Sequence, residues 1–197
     1  MASELELKAV VPDPTALRRA LRAAGARETF RGMLRDRRLD RSERREADQV
    51  LRIREWQPAQ GTGRVVVGWK GPVSVSSEGY KQREEVECAV QDATGALALF
   101  AALGYRVVQV IDRYVELHQL AEAVARLEWY PRMDVLVEIE GSPGGMERLI
   151  RATGLPRGDY VADSLAAFVA RYEARTGRPA VLAESGLQGE PPSWNAA

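Results

Sequence analysis

Glu4 and Glu6, Glu85 and Glu87, and Glu138 and Glu140 form three Glu-x-Glu pairs in this chain. On an extended strand, side chains at i and i+2 share a face and lie roughly 6–7 Å apart. Like charges so placed repel mildly unless a counterion sits between them. Carboxylate oxygens at that spacing can bracket Mg²⁺ or Mn²⁺, hard ions that favour oxygen ligands and retain water for a phosphate-bound substrate. Arg52 and Arg54 repeat the spacing with cations, and Lys70 and Arg83 stand in neighbouring segments of the same kind. Arginine supplies a fork and lysine a point charge for phosphoryl oxygens. Such parts together suit metal-assisted chemistry on a phosphate.

The elements that carry these residues read as strands. Residues 4–11, 51–56, 64–71, 80–90, 105–117, 122–129 and 135–141 show strand patterning, and 29–49 reads as an Arg-rich strand followed by a solvated connection. Helices are expected after Thr15 as cap and up to Gly25, from Asp92 to Gly104, over 145–153, and over 164–176 with Asp163 as cap. Val73–Gly79 reads as a mobile loop. The domain is expected to span 1–176, with 177–197 a Pro-, Gly- and Ser-containing peripheral tail. Residues alternating with the charges are strongly apolar, among them Leu5, Leu7, Ile53, Val67, Val137 and Ile139. If those meet helices, the charged face points either to bulk solvent or into an enclosed lumen. One such strand alone is most simply a solvent face. The set as a whole fits an α+β fold whose closed barrel has a polar, hydrated interior and helices outside.

Composition narrows the function classes. Lys+Arg and Asp+Glu balance at 28 each, so the whole chain has no pull toward nucleic acid or an anionic membrane. Any use of charge must be local. The single Cys88 excludes an internal disulfide framework, no apolar run reaches membrane-spanning length, and MASELELK lacks a signal-peptide pattern. The expected setting is cytoplasmic.

In order along the chain stand Glu4-Leu5-Glu6-Leu7-Lys8, Leu51-Arg52-Ile53-Arg54, Lys70-Gly71-Pro72, Arg83-Glu84-Glu85-Val86-Glu87 and Glu138-Ile139-Glu140-Gly141. This series resembles the CYTH domain, or triphosphate tunnel metalloenzyme, family over roughly residues 4–172. The family includes class IV adenylyl cyclases, thiamine triphosphatase and inorganic or RNA triphosphatases. Leu127-Glu128 is similar to the family's Leu-Asp, with Glu replacing Asp. The resemblance implies an eight-stranded antiparallel β tunnel with a charged lumen and helices packed outside. It implies that Glu4, Glu6, Glu128, Glu138 and Glu140 hold Mg²⁺ or Mn²⁺. Lys8, Arg52, Arg54, Lys70 and Arg83 would bind the triphosphate, with Arg113 a further candidate. Glu85 and Glu87 would complete the polar lining and join Glu4 and Glu6 as catalytic carboxylates.

Lys-Gly-Pro and the Arg-Glu-Glu strand look most like the cyclase branch, which implies conversion of ATP to cyclic AMP and pyrophosphate. A triphosphatase acting on inorganic, thiamine or nucleoside triphosphate is the alternative, and a non-catalytic triphosphate- or polyphosphate-binding module is a third. The expected partner is a small-molecule triphosphate, with no membrane and no nucleic acid. A homodimer is compatible with the reading.

One departure stands out. The family's Lys-x-Arg pair falls near Val110-Ile111-Asp112-Arg113-Tyr114, where Asp112 and Tyr114 read as taking the basic positions. Arg113 would then face inward only after a one-residue shift of the strand. Other residues read as structural: His118 in the core or on the surface, Cys88 in the core, Asp36 and Asp40 within a solvated Arg-rich stretch, and Trp129-Tyr130-Pro131 in a packed loop. No glycine-rich phosphate loop and no zinc-ligand spacing is present, so phosphate binding must come from side chains.

Overall fold

The computed structural model describes residues 2–41 and 48–196. Its sheet contains β1 (Ala2–Val10), β2 (Arg27–Asp40), β3 (Val50–Pro58), β4 (Arg64–Lys70), β5 (Ser74–Val75), β6 (Lys81–Val90), β7 (Arg106–Leu120), β8 (Ala123–Trp129) and β9 (Leu136–Gly141). The order β1-β9-β8-β7-β2-β3-β4-β6 closes on itself through β1–β6, and every pairing is antiparallel. The two residues of β5 pair beside β6 as an adjunct. The result is a closed eight-stranded barrel without long free edges. Helices α1 (Pro14–Ala23), α2 (Ala93–Ala102), α3 (Pro143–Thr153) and α4 (Leu165–Thr176) pack outside it.

Strand alternation builds two separate environments. Outward-facing Leu7, Ala9, Ala125, Leu127, Val137 and Ile139 meet Leu17 and Leu21 of α1 and Met146, Leu149 and Ile150 of α3, all almost fully buried. Leu39 and Ile53 pack with Ala96, Leu97 and Phe100 of α2. Burying these apolar faces stabilises the barrel by roughly 1.5–3 kcal/mol per large side chain, and it leaves the alternate residues no direction but inward. Beyond the charged stretch, Leu34, Trp56, Val66 and Val115 pack together as an apolar plug within the barrel.

Local chemistry explains the element ends. Asp13, not Thr15, caps α1: its Oδ1 accepts from the Ala16 N–H at 2.9 Å, and Pro14 occupies the first turn, where no N–H is needed. Ser164, not Asp163, caps α4, and Asp163 instead pairs with Arg171 at 2.7 Å. Asp92 caps α2 as expected, accepting from Gly95 at 2.6 Å. Gly141 ends β9 at φ 144°, where a Cβ would lie 2.4 Å from the Glu122 carbonyl oxygen. Only glycine lets β9 turn into α3 there.

Three sequence expectations change. The Arg-rich stretch is not a solvated segment: through Asp40 it is β2, with Leu34 and Asp36 fully buried, while its residues 42–47, including Glu43 and Glu46, lie outside the described residues. Cys88 is exposed rather than in the core, because α2 does not cover this part of β6, and Val86 beside it is 44% exposed. The expected loop Val73–Gly79 contains β5 and a turn closed by Ser76 N–H on the Tyr80 carbonyl at 2.8 Å. Residues of the peripheral C-terminal segment lie against the barrel, with Val181 bridged to Arg132 and Asp112 N–H donating to the Leu182 carbonyl at 2.7 Å.

Candidate active site: a charged tunnel inside the barrel

Each sequence-derived site residue sits on an inward position of its strand. The tunnel of about 200 Å³ is lined by Glu6 and Lys8 of β1, Arg52 and Arg54 of β3, Lys70 of β4, Arg83 of β6, Arg113 of β7, Glu128 of β8 and Glu138 of β9. Glu4, Glu85, Glu87 and Glu140 join them through ion pairs to Lys70, Lys70, Arg52 and Arg126 respectively. Cross-strand register makes these contacts: Glu4 lies opposite Arg83, Lys70 opposite Glu85, and Lys8 opposite Glu138.

Reasoning from sequence missed Asp36, Arg38, Lys81, Arg126 and Tyr130, all of which line the same space. The signal was present for two of them. Lys81-x-Arg83 and Arg126-x-Glu128 have the same i, i+2 spacing as the recognised pairs. The expectation for 110–114 also changes. Ile111 and Arg113 face inward, while Tyr114 packs edge-on against Trp129 and Asp112 accepts from the Glu184 N–H at 2.9 Å. The inward pair therefore loses one basic residue, at Ile111, rather than two.

The lumen cations divide into two groups. In the first, Asp36 accepts from Arg54 Nε at 2.7 Å and Nη2 at 2.8 Å, and from Arg113 Nη2 at 3.1 Å. Glu128 accepts from Arg126 Nε at 2.9 Å and from the Tyr130 hydroxyl at 2.6 Å, and pairs with Arg113 at 3.2 Å. Burial works against ionisation of both acids, but the neighbouring guanidiniums win. Arg54 and Arg113 hold Asp36 well below the usual range, and Arg113 and Arg126 hold Glu128 down to about 2. Glu138 is likewise engaged, by Arg126 and Lys8. These side chains form a knot of charge paired within itself, with only Arg113 Nε left without a hydrogen-bond partner.

The second group is paired less completely: Arg52 meets Glu87, Lys70 meets Glu4 and Glu85, Lys81 meets Glu6 and Arg83 meets Asp48, while Arg38 bonds to Gln109. Burial, with Arg54 beside it, pushes Arg52 down to about 10. Burial also lowers Arg38, which faces Arg113 and Arg52, and Lys81, which faces Lys8. Burial pushes Lys70 down to about 8; Arg52 adds to this, while Glu4 and Glu6 oppose it. The Nε–H groups of Arg38, Arg52 and Arg83 are buried without a hydrogen-bond partner. Unsatisfied buried donors on mutually repelling cations are what an anion would relieve.

The acids hold a complementary defect. Burial, together with the nearby Glu4, pushes the Glu140 carboxyl up to about 7 despite Arg126, and its Oε2 is buried without a hydrogen-bond partner. Glu4 itself is held below the usual range: burial opposes this, but Lys70 wins. Two carboxylates crowded together, with Glu6 on the same strand, present oxygen ligands of the kind a hard divalent cation takes, while among the described residues the three-residue group whose ligand atoms lie within 4.8 Å of one another is elsewhere. A second carboxylate–imidazole group, Glu28, Glu116 and His118, lies on the outer face near α1. There Arg18 at 2.9 Å and Arg31 at 3.4 Å already neutralise Glu116.

The CYTH domain profile matches residues 2–142. The chain belongs to the CYTH domain family. Solved structures share the CYTH barrel. A candidate adenylate cyclase from Vibrio parahaemolyticus is 19% identical, with 85% of this chain and 97% of that chain covered and a TM-score of 0.71. The PH1819 protein of Pyrococcus horikoshii is 21% identical over 89% and 99% of the two chains, with a TM-score of 0.69. A candidate adenylyl cyclase from Hippeastrum, described as having a dominant triphosphatase activity, is 17% identical over 90% and 97%, at 0.61. No curated protein sequence matches the chain. Among the described residues of this CYTH protein, no helix is long and apolar enough to cross a membrane.

Proposed function

We propose that this CYTH barrel is a divalent-metal-dependent enzyme that processes a triphosphate, in the manner of a class IV adenylyl cyclase. One observation carries the reading. In a single buried lumen, arginines with unpartnered Nε–H groups share the space with Glu140, whose carboxyl is crowded by Glu4 and whose Oε2 accepts no hydrogen bond. Glu4, Glu6 and Glu140 would hold Mg²⁺ or Mn²⁺, which when bound supplies Lewis-acid neutralisation of phosphoryl oxygens. Arg38, Arg52, Lys70, Lys81 and Arg83 would seat the triphosphate, whose oxygens would accept from the unpartnered Nε–H groups. The Asp36 and Glu128 knot fixes Arg54, Arg113 and Arg126 in advance, so their charge needs no reorganisation when negative charge develops on the leaving group.

In the cyclase reaction, the ribose 3′-oxygen bonds to the α-phosphorus of ATP, and the bond to the bridging oxygen breaks. Pyrophosphate leaves, and a carboxylate of the Glu85–Glu87 pair accepts the hydroxyl proton. A second reading, hydrolysis at the terminal phosphorus, draws support from the Hippeastrum protein. There water bonds to the terminal phosphorus, the bond to the adjacent bridging oxygen breaks, and the diphosphate portion leaves, giving inorganic phosphate as the other product. The proposed setting is the cytoplasm, and the proposed partner is a free triphosphate rather than nucleic acid or membrane.

The test is to incubate the protein with Mg²⁺ or Mn²⁺ and ATP, GTP, thiamine triphosphate or inorganic triphosphate. Phosphate, pyrophosphate and cyclic nucleotide are then quantified. Cyclic AMP with equimolar pyrophosphate supports the cyclase, and phosphate alone supports the hydrolase. Binding without any product would overturn both and leave a binding module. Replacing Glu4 and Glu6 together by Gln should abolish metal-dependent turnover.

A further inference from the structure

Outside the tunnel, near α1, strands β2 and β7 bring Glu28, Glu116 and His118 together, with a ligand atom of each within 4.8 Å of the other two. Glu28 lies directly opposite His118 across the strand pair, and Glu116 stands two residues from His118 on the same face. A bulge in β2 makes this possible. Phe30 packs beside the apolar plug, and regular alternation would send Glu28 to that same side. The register shift between Glu28 and Phe30 turns Glu28 outward instead, onto the face of Arg31 and Glu116.

His118 points to a ligand. Its side chain is 1% exposed, and neither ring nitrogen has a hydrogen-bond partner. Nε2 comes to 3.5 Å from Glu116 Oε2, longer than a hydrogen bond. Each buried polar group left so costs about 1–3 kcal/mol. With the ring proton on Nδ1, Nε2 turns a lone pair toward the carboxylate, and a cation is what both can share.

Arg31 already holds a positive charge between the acids. Its Nη2 lies 2.8 Å from Glu28 and 3.4 Å from Glu116, while Arg18 Nε meets the other oxygen of Glu116 at 2.9 Å. Neither arginine bonds to His118. The Arg31 side chain is 40% exposed, so its pairs are worth about 0–1 kcal/mol and it can swing into water.

The donor set selects the ion. The tunnel carboxylates Glu4, Glu6 and Glu140 offer oxygen alone, which suits Mg²⁺ or Mn²⁺. One imidazole nitrogen with two carboxylates suits Zn²⁺, and three protein ligands leave its fourth position to water. We propose that Glu28, Glu116 and His118 form a zinc site, separate from the tunnel, in which the metal replaces Arg31 between the two carboxylates. The ion clamps the start of β2 to the end of β7. This inference does not depend on the triphosphate reading.

The experiment is calorimetric titration of tag-free full-length protein with Zn²⁺ in excess Mg²⁺, which keeps the tunnel carboxylates occupied, with elemental analysis of the zinc bound. Glu28→Gln, His118→Gln and Arg31→Ala are compared with wild type. Wild type is expected to bind one zinc per chain that Glu28→Gln and His118→Gln each weaken by about tenfold or more. Arg31→Ala, which removes the competing cation, should tighten the same zinc by about threefold or more. Circular dichroism checks folding, and Glu28→Gln, at a side chain 34% exposed, decides the matter if His118→Gln does not fold. No zinc on wild type in excess Mg²⁺, equal zinc affinity of wild type and Glu28→Gln, or unchanged or weaker affinity in Arg31→Ala would each overturn the proposal.

Discussion

Asp36 accepts two donors from Arg54 and a third from Arg113, so three charge-assisted bonds converge on one carboxylate that is 2% exposed. Removing it leaves two buried guanidiniums without their partner. Asp36→Asn should cost about 3–5 kcal/mol in chemical denaturation at neutral pH. Its folded pKa is depressed, so the stabilisation is fully present above the unfolded value of about 3.9 and lost as pH falls below it. The gap between wild type and variant should therefore be constant from pH 7 to 5 and smaller at pH 3. Glu140 presents the opposite case, a carboxyl crowded by Glu4 with one oxygen unpartnered. Glu140→Gln should stabilise the metal-free protein by about 1 kcal/mol, raising Tm by roughly 2–4 °C. Wild type should gain Tm on adding Mn²⁺, and Glu140→Gln should abolish that increase. A lower metal-free Tm would count against the crowding. At this scale the sequence was legible wherever charges alternated with apolar residues. It misled at Asp112 and Tyr114 because the outer face of β7 is itself polar and buried: Glu116 and His118 lie there at 1% exposure, with Arg18 on Glu116. Charge on that strand does not mark the lumen.

The strands were legible as elements because a half-buried strand repeats with period two, and helices α1 and α4 because their apolar residues recur with the helical period. Caps were less so. Thr15 and Asp163 are as suitable as Asp13 and Ser164 by residue type, and only backbone geometry chooses between neighbours. β2 was harder still, since arginines fill both its faces, and ion pairs such as Asp36 with Arg54 bury charge that composition assigns to solvent. Gly141 links an element's end to the site. Gly141→Ala forces a Cβ against the Glu122 carbonyl at a φ that L-residues rarely adopt, one residue from Glu140. We expect a loss of about 1–3 kcal/mol, read as a lower denaturation midpoint, together with weaker metal affinity. Unchanged metal affinity would show that β9 absorbs the strain away from its carboxylates.

Closure is a property of the whole molecule. β1 pairs with β6 and with β9, bringing Glu4 opposite Arg83 and Lys8 opposite Glu138 from distant parts of the chain. Nothing local encodes those partners; they follow from the demand that each charged face be enclosed while each apolar face is covered by a helix. The same enclosure leaves the tunnel's side chains paired with one another, with Lys8 on Glu6, Lys70 on Glu4, and Lys81 on Glu6. A polyanion entering this space trades places with carboxylates already there, rather than stripping mobile ions from a bare cationic surface. Binding is thus an ion exchange inside the protein, shielded from bulk electrolyte. Raising NaCl from 50 to 500 mM should change the ATP dissociation constant by less than about fivefold, far less than the number of cations in the tunnel would suggest.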